Sequence, residues 1–168
     1  GFFIEKGVHL LRQNGTLGFI TPHTWLTVIE AEKLRALLLK ETTLTSLVRL
    51  PTRVFRAATV NTLLVFLKRG QVAQQENMVR VHLLPRDESI TEIADNTGEI
   101  RQYSAEDWAK NDARMFNIEV TSHEQRLIEK IKKITVPFTE VCDFCVGIQA
   151  YDSHTGQEQS IIETRAYH

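Results

Sequence analysis

The chain has two cysteines in 168 residues, too few for the multi-bridge scaffold of a small secreted domain, so both are read as reduced thiols. None of its eight glycines forms a G-x-G-x-x-G turn or a phosphate-cradling P-loop, so the chain carries no dinucleotide or nucleoside-triphosphate fingerprint. No G-x-S-x-G elbow offers a serine nucleophile. No apolar run approaches the ~20 residues that span a bilayer, and no secretory signal opens the sequence, which sets the expectation of no membrane partner and a cytoplasmic location. Internal repeats and low-complexity stretches are also lacking. A large positive surplus is missing as well: 20 basic and 21 acidic residues leave a net charge of −1, on its face an argument against a partner bound through phosphates.

The distribution of that charge reverses the argument. Residues 1–70 hold ten Lys and Arg against four Glu, a balance of +6, and the remaining 98 residues carry −7. Such asymmetry marks a segment that can face a polyanion. The length is about that of one domain, with 42% hydrophobic and 24% charged residues, as in an ordinary globular protein. The start at Gly1 without a methionine and the stop at Tyr167-His168 are read as a piece cut from something larger.

The basic segment alternates helix and strand. Phe3, Val8, Leu10 and Leu11 predict the apolar stripe of a helix over 2–12 that stops near Asn14-Gly15. Leu17 to Ile20 reads as a strand broken by Pro22, leaving Thr21-Pro22-His23-Thr24 as a turn at its carboxyl end. Ala31, Leu34, Leu37 and Leu38 predict a helix from Trp25 to Lys40 with Arg35 directed away from the core. Leu44 to Leu50 alternates as a strand, and the apolar run ending at Leu67 reads as a strand buried on both faces. Together these predict an α/β fold with part of a largely parallel, doubly wound sheet. Further on, Met78 to Leu84 reads as a strand and Asp95 to Gly98 as a turn. Thr121 to Glu124 reads as a capping box opening a helix with Leu127, Ile128, Ile131 and Ile134 on its stripe, halted by Pro137. Val141 to Ala150 is expected as a strand.

Two places carry chemistry. Cys142-x-x-Cys145 with His154 and His168 could supply four zinc ligands, but the spacing fits no common zinc pattern and apolar surroundings favour small buried thiols. The loop Arg53-Val54-Phe55-Arg56 sets an aromatic ring between two guanidinium groups, the combination that holds an unstacked nucleotide. The plainer alternative is a loop with Phe55 tucked under the sheet and solvated arginines, and on composition alone it is the stronger of the two.

Four stretches then match one family in order and spacing. They are Phe3-x-Glu5 through Leu10-Leu11, Gly15-x-Leu17-Gly18-Phe19-Ile20-Thr21-Pro22-x-x-Trp25-Leu26, Lys33-Leu34-Arg35-x-x-Leu38-Leu39, and Val54-Phe55-x-x-Ala58-Thr59-Val60-x-Thr62. Residues 1 to about 70 resemble the second half of the catalytic domain of adenine-specific DNA methyltransferases of restriction-modification systems, including the TaqI-like enzymes. The resemblance implies a partial Rossmann-like sheet, S-adenosylmethionine as cofactor of the intact enzyme, and double-stranded DNA with a flipped adenine as partner, with a restriction endonuclease domain or subunit as a possible companion. It implies that Phe55 packs against the flipped base. Arg53 and Arg56 are then expected at phosphates or base edges, and Thr21, Pro22 and His23 in the wall of the target pocket. The family's Asn-Pro-Pro-Tyr loop and glycine-rich cofactor loop do not occur in these residues, so the segment by itself is expected to be inactive and to hold neither catalytic nor cofactor-binding residues. Residues 116–168 resemble, more loosely, the start of a TaqI-like α+β target-recognition domain, which places the boundary at 115/116. The rival expectation is a non-catalytic DNA-recognition module acting with a separate methyltransferase or nuclease chain.

Overall fold

A computed structural model of the chain describes residues 1–52, 54–55, 60–70, 77–86 and 97–143. They fall into two compact units, Gly1–Thr121 and a second one from Ser122 onward. The first contains α1 (Phe2–Leu10), β1 (Thr16–Pro22), α2 (Glu32–Glu41), β2 (Thr42–Arg49), β3 (Thr62–Arg69), β4 (Met78–Leu83), β5 (Glu99–Ser104) and α3 (Ala105–Lys110). The strands form one sheet in the order β1-β3-β2-β4-β5.

The sheet is mixed, which corrects the largely parallel arrangement expected from the alternation of elements. Among the described residues only β2 and β4 pair in parallel; β3 runs antiparallel to both β1 and β2, and β5 antiparallel to β4. The cause lies in the connection from β2 to β3. Parallel neighbours need a crossover, usually a helix, but β2 and β3 pair antiparallel, closed by Leu50 N–H donating to Thr62 O at 3.0 Å. β1 and β2, both antiparallel to β3, are therefore parallel to each other, with α2 as their crossover and β3 inserted between them. The α/β class stands.

The same topology corrects the expectation that β3 is covered on both faces. Leu63, Val65 and Leu67 are buried in one cluster with the helix-borne Ile4, Val8, Leu34, Leu38 and Trp108, whereas Phe66 on the opposite face is 40% exposed. β3 thus alternates like a strand covered on one side. β2 alternates only in part. A bulge between Leu44 and Ser46 inserts Thr45, so that Leu44 and Leu47, three positions apart, both point to the core. In α1 the buried positions are Ile4 and Val8, one turn apart, while Phe3 and Leu10, expected on the stripe, are exposed.

The strand expected to break at Pro22 runs through it. β1 lies at the sheet edge, Pro22 is its last residue, and a missing N–H there removes no interior ladder bond. The helix expected from Trp25 begins only at Glu32. His23–Leu26 and Ile29–Ala31 are single 3₁₀ turns, and the β-branched run Thr27-Val28-Ile29 between and within them disfavours a continuous helix. Arg35, expected away from the core, is fully buried.

The first unit continues past 115/116. Phe116 stacks on Trp108 (centroids 4.6 Å apart, 17° between planes) and meets Trp25 edge-on at 5.8 Å, and Ile118 is also buried. Gly98 precedes β5 with φ +82°, a conformation in which L side chains are strained. A Cβ there would collide with the Leu83 carbonyl oxygen and lie 3.0 Å from Leu84 Cα. Gly98→Ala is therefore expected to destabilise the first unit by about 1–2 kcal/mol in urea denaturation, against no change for an exposed surface Ala substitution.

In the second unit α4 (Ser122–Ile134) ends before Pro137, as expected, and Phe138–Glu140 makes a 3₁₀ turn. Val141 closes that turn; Cys145, both candidate zinc histidines and most of the strand expected from Val141 lie outside the described residues. Among the described residues no group of three or more His, Cys, Asp or Glu is placed to hold a metal ion, and no helix is long and apolar enough to cross a membrane.

Candidate functional site

The parallel strands β1, β2 and β4 end at Pro22, Arg49 and Leu83, on the rim where α/β sheets place ligands. Three connections meet there: the turn after β1, the loop 50–61 between β2 and β3, and the segment after β4. The first two are tied at His23, whose backbone N–H donates to Asn61 O at 3.1 Å and whose Nδ1 lies 3.2 Å from the same oxygen. The second and third are tied at Thr52, which donates to Arg86 O from its N–H at 2.8 Å and from its hydroxyl at 2.6 Å.

Of the residues expected here from sequence, Pro22 is exposed and His23 half-buried at the rim. Thr21 is buried, and its hydroxyl accepts from Trp25 Nε1 at 2.9 Å. Its side chain supports the turn from beneath. Phe55 is 47% exposed. Arg53 and Arg56 lie outside the described residues.

Sequence reasoning missed a charged bridge beside them. Glu119 accepts from Arg49 Nη1 at 3.0 Å and, through both carboxylate oxygens, from Arg86 Nη2 at 2.7 and 2.9 Å. Arg49 also donates to Leu84 O at 2.9 Å, joining the ends of β2 and β4. Nothing periodic marks Glu119, which lies just ahead of the expected capping box. Burial pushes the Glu119 carboxyl up, but the hydrogen bond from Arg49 and the charge of Arg86 outweigh it, and its pKa lies below the ordinary value. A group of this kind contributes stability above its unfolded pKa of ~4.3 and loses it as pH falls through the lower folded value. The stability difference between wild type and Glu119→Gln is therefore expected to be level near neutrality and to shrink below about pH 4. pH-dependent urea denaturation of both proteins checks it.

His23, Arg49, Thr52, Asn61, Arg86 and Glu119 line a cavity of about 10 Å³, room for one water and not for a nucleobase. A planar ligand would have to sit on the open rim. A wider groove of about 520 Å³ runs between α1, the 3₁₀ turns and α2, over Trp25, Leu34 and Leu37.

The sequence profile of Eco57I restriction-modification methylases matches residues 1–55. Over 41 residues the chain is 51% identical to the Type II methyltransferase M.TthHB8I of Thermus thermophilus, a match covering 24% of this chain and 10% of that protein. Among solved structures, the type IIG restriction endonuclease BpuSI is similar at a TM-score of 0.53 and 18% identity, over 78% of this chain and 17% of its own. The M protein of the type I restriction enzyme EcoKI is similar at a TM-score of 0.43 and 22% identity, over 58% of this chain and 21% of its own. The likeness to BpuSI is one of fold. The match spans about a tenth of the curated relative's length.

Proposed function

We propose that the chain is part of a DNA methyltransferase that moves a methyl group from S-adenosylmethionine to adenine N6 in double-stranded DNA, a reading supported by the match of residues 1–55 to the profile of Eco57I restriction-modification methylases. The observation that carries the reading is the match over the β1-α2-β2 unit together with what its carboxyl ends display: a turn tied to a loop that holds an aromatic ring out to solvent. An aromatic face stacks on a base that has left the helix, and the +6 balance of residues 1–70 favours the phosphates around it. In this reading Phe55 covers the flipped adenine, Pro22 and His23 wall its pocket, Thr21 holds that wall in place, and Arg53 and Arg56 contact phosphates. The second unit, from Ser122, is the start of a target-recognition domain, and a restriction endonuclease domain or subunit acts on the same DNA.

S-adenosylmethionine does not fit the described residues. The rim cavity is too small for it, and the walls of the wide groove contain no glycine turn through which backbone closely approaches a nucleotide. What these residues do is hold the base and its backbone.

The test is binding of the full-length protein to two duplexes, one with a paired target adenine and one with that adenine mismatched. Unpairing costs a few kcal/mol in the first and less in the second, so the mismatched duplex is expected to bind about tenfold more tightly. Equal affinities contradict base flipping.

A further inference from the structure

Phe55 can cover a base only if its loop is held at both ends. Its far end is fixed through Asn61 to His23, and its near end through Thr52 to the backbone of Arg86. Arg86 is not part of a strand: β4 ends at Leu83. What holds it is Glu119, and what holds Glu119 is Arg49 at the end of β2 together with the anchoring of its own segment. Arg101 Nη1 donates to Glu119 O at 2.8 Å, and the Tyr103 hydroxyl donates to Ile118 O at 2.8 Å, with Val120 O 3.1 Å away. The chain of contacts runs from the rigid sheet, through one carboxylate, to the stem of the loop.

We propose that Glu119 is a positioning residue: it clasps Arg86 to Arg49 and thereby fixes the near stem of the loop that presents Phe55. The inference rests on the base-stacking reading for its purpose but not for its geometry. Two guanidinium groups without the carboxylate between them would repel, so loss of Glu119 both frees Arg86 and drives it from Arg49. Arg86 is half exposed and moves into solvent readily.

Amide hydrogen exchange of the chain without DNA reads the clasp directly. In Glu119→Gln the segment 50–55 is expected to exchange about tenfold faster, the equivalent of one lost charge-assisted hydrogen bond, with α1 and β3 unchanged. Arg86→Gln, at an exposed position that cannot unfold the core, is expected to give the same local increase at an unchanged melting temperature. Unchanged exchange of 50–55 in Arg86→Gln overturns the proposal. So does acceleration spread evenly over α1, β3 and the loop, which would make Glu119 a general stabiliser. Failure of the stacking reading shows elsewhere, in an unaltered base response of Phe55→Ala in the full-length protein, and leaves the exchange result intact.

Discussion

Replacing Arg35 by alanine is expected to lower the stability of the chain by about 3–5 kcal/mol and its melting temperature by roughly 10–20 °C. The side chain is fully buried, and among the described residues no carboxylate is hydrogen-bonded to it. Instead its guanidinium reaches three backbone carbonyls: Trp25 O at 2.6 Å, Val28 O at 2.8 Å, and Ala113 O through Nε at 3.1 Å and Nη2 at 2.9 Å. Burial lowers its pKa, and the charge of nearby Glu32 offsets part of the shift. The Trp25 and Val28 carbonyls belong to the interrupted stretch before α2, where continuous helical bonding is missing. Ala113 belongs to a pair of non-glycine residues held at positive φ, 47° and 52° at Arg114, where each residue stores about 1–3 kcal/mol. Arg35 therefore staples the turn behind Thr21 to the segment leading to Phe116, and its loss takes a charged donor from three carbonyls. Arg35→Lys is expected to recover less than half of the loss, because an ammonium group cannot fork to three carbonyls at once. Thermal unfolding followed by circular dichroism decides: a loss under about 1 kcal/mol for Arg35→Ala would mean the carbonyls find other donors.

Phe55→Ala is expected to leave folding intact and to lower base capture in the full-length protein by about 10–100-fold, since stacking on an aromatic ring contributes about 1–3 kcal/mol per base. The ring is half exposed, so its removal opens no core cavity. A 2-aminopurine at the target position reports the outcome: its fluorescence rises when the base leaves the stack and is quenched by a covering ring. The variant should show a brighter and weaker-binding flipped state at an unchanged melting temperature. Identical fluorescence and affinity in both proteins would remove Phe55 from the site.

Much of this was legible in the sequence. The helices α1 and α4 and four of the strands follow from periodicity, and the likeness of residues 1–55 to restriction-modification methylases from motif order. What escaped has physical causes. A bulge inserts one residue and shifts the alternation of β2, which no fixed period describes. The place of β3 between β1 and β2 depends on how a loop returns, and an apolar run reads alike in a strand covered on one face or two. Arg35 looked like a solvated charge because its partners are carbonyls, which every residue carries. Glu119 bridges Arg49 and Arg86 across 70 and 33 residues of chain, and local spacing cannot show a cluster assembled from three separate segments.

If the rim at the ends of β1 and β2 serves methyl transfer to adenine, the reaction product itself carries the proof. The direct measurement incubates the full-length protein with labelled S-adenosylmethionine and unmethylated duplex DNA, then separates the nucleosides by mass spectrometry. Label in N6-methyladenine, lowered about 10–100-fold by Phe55→Ala, is the result expected. Label in a methylated cytosine, or equal labelling by wild type and Phe55→Ala, would contradict it.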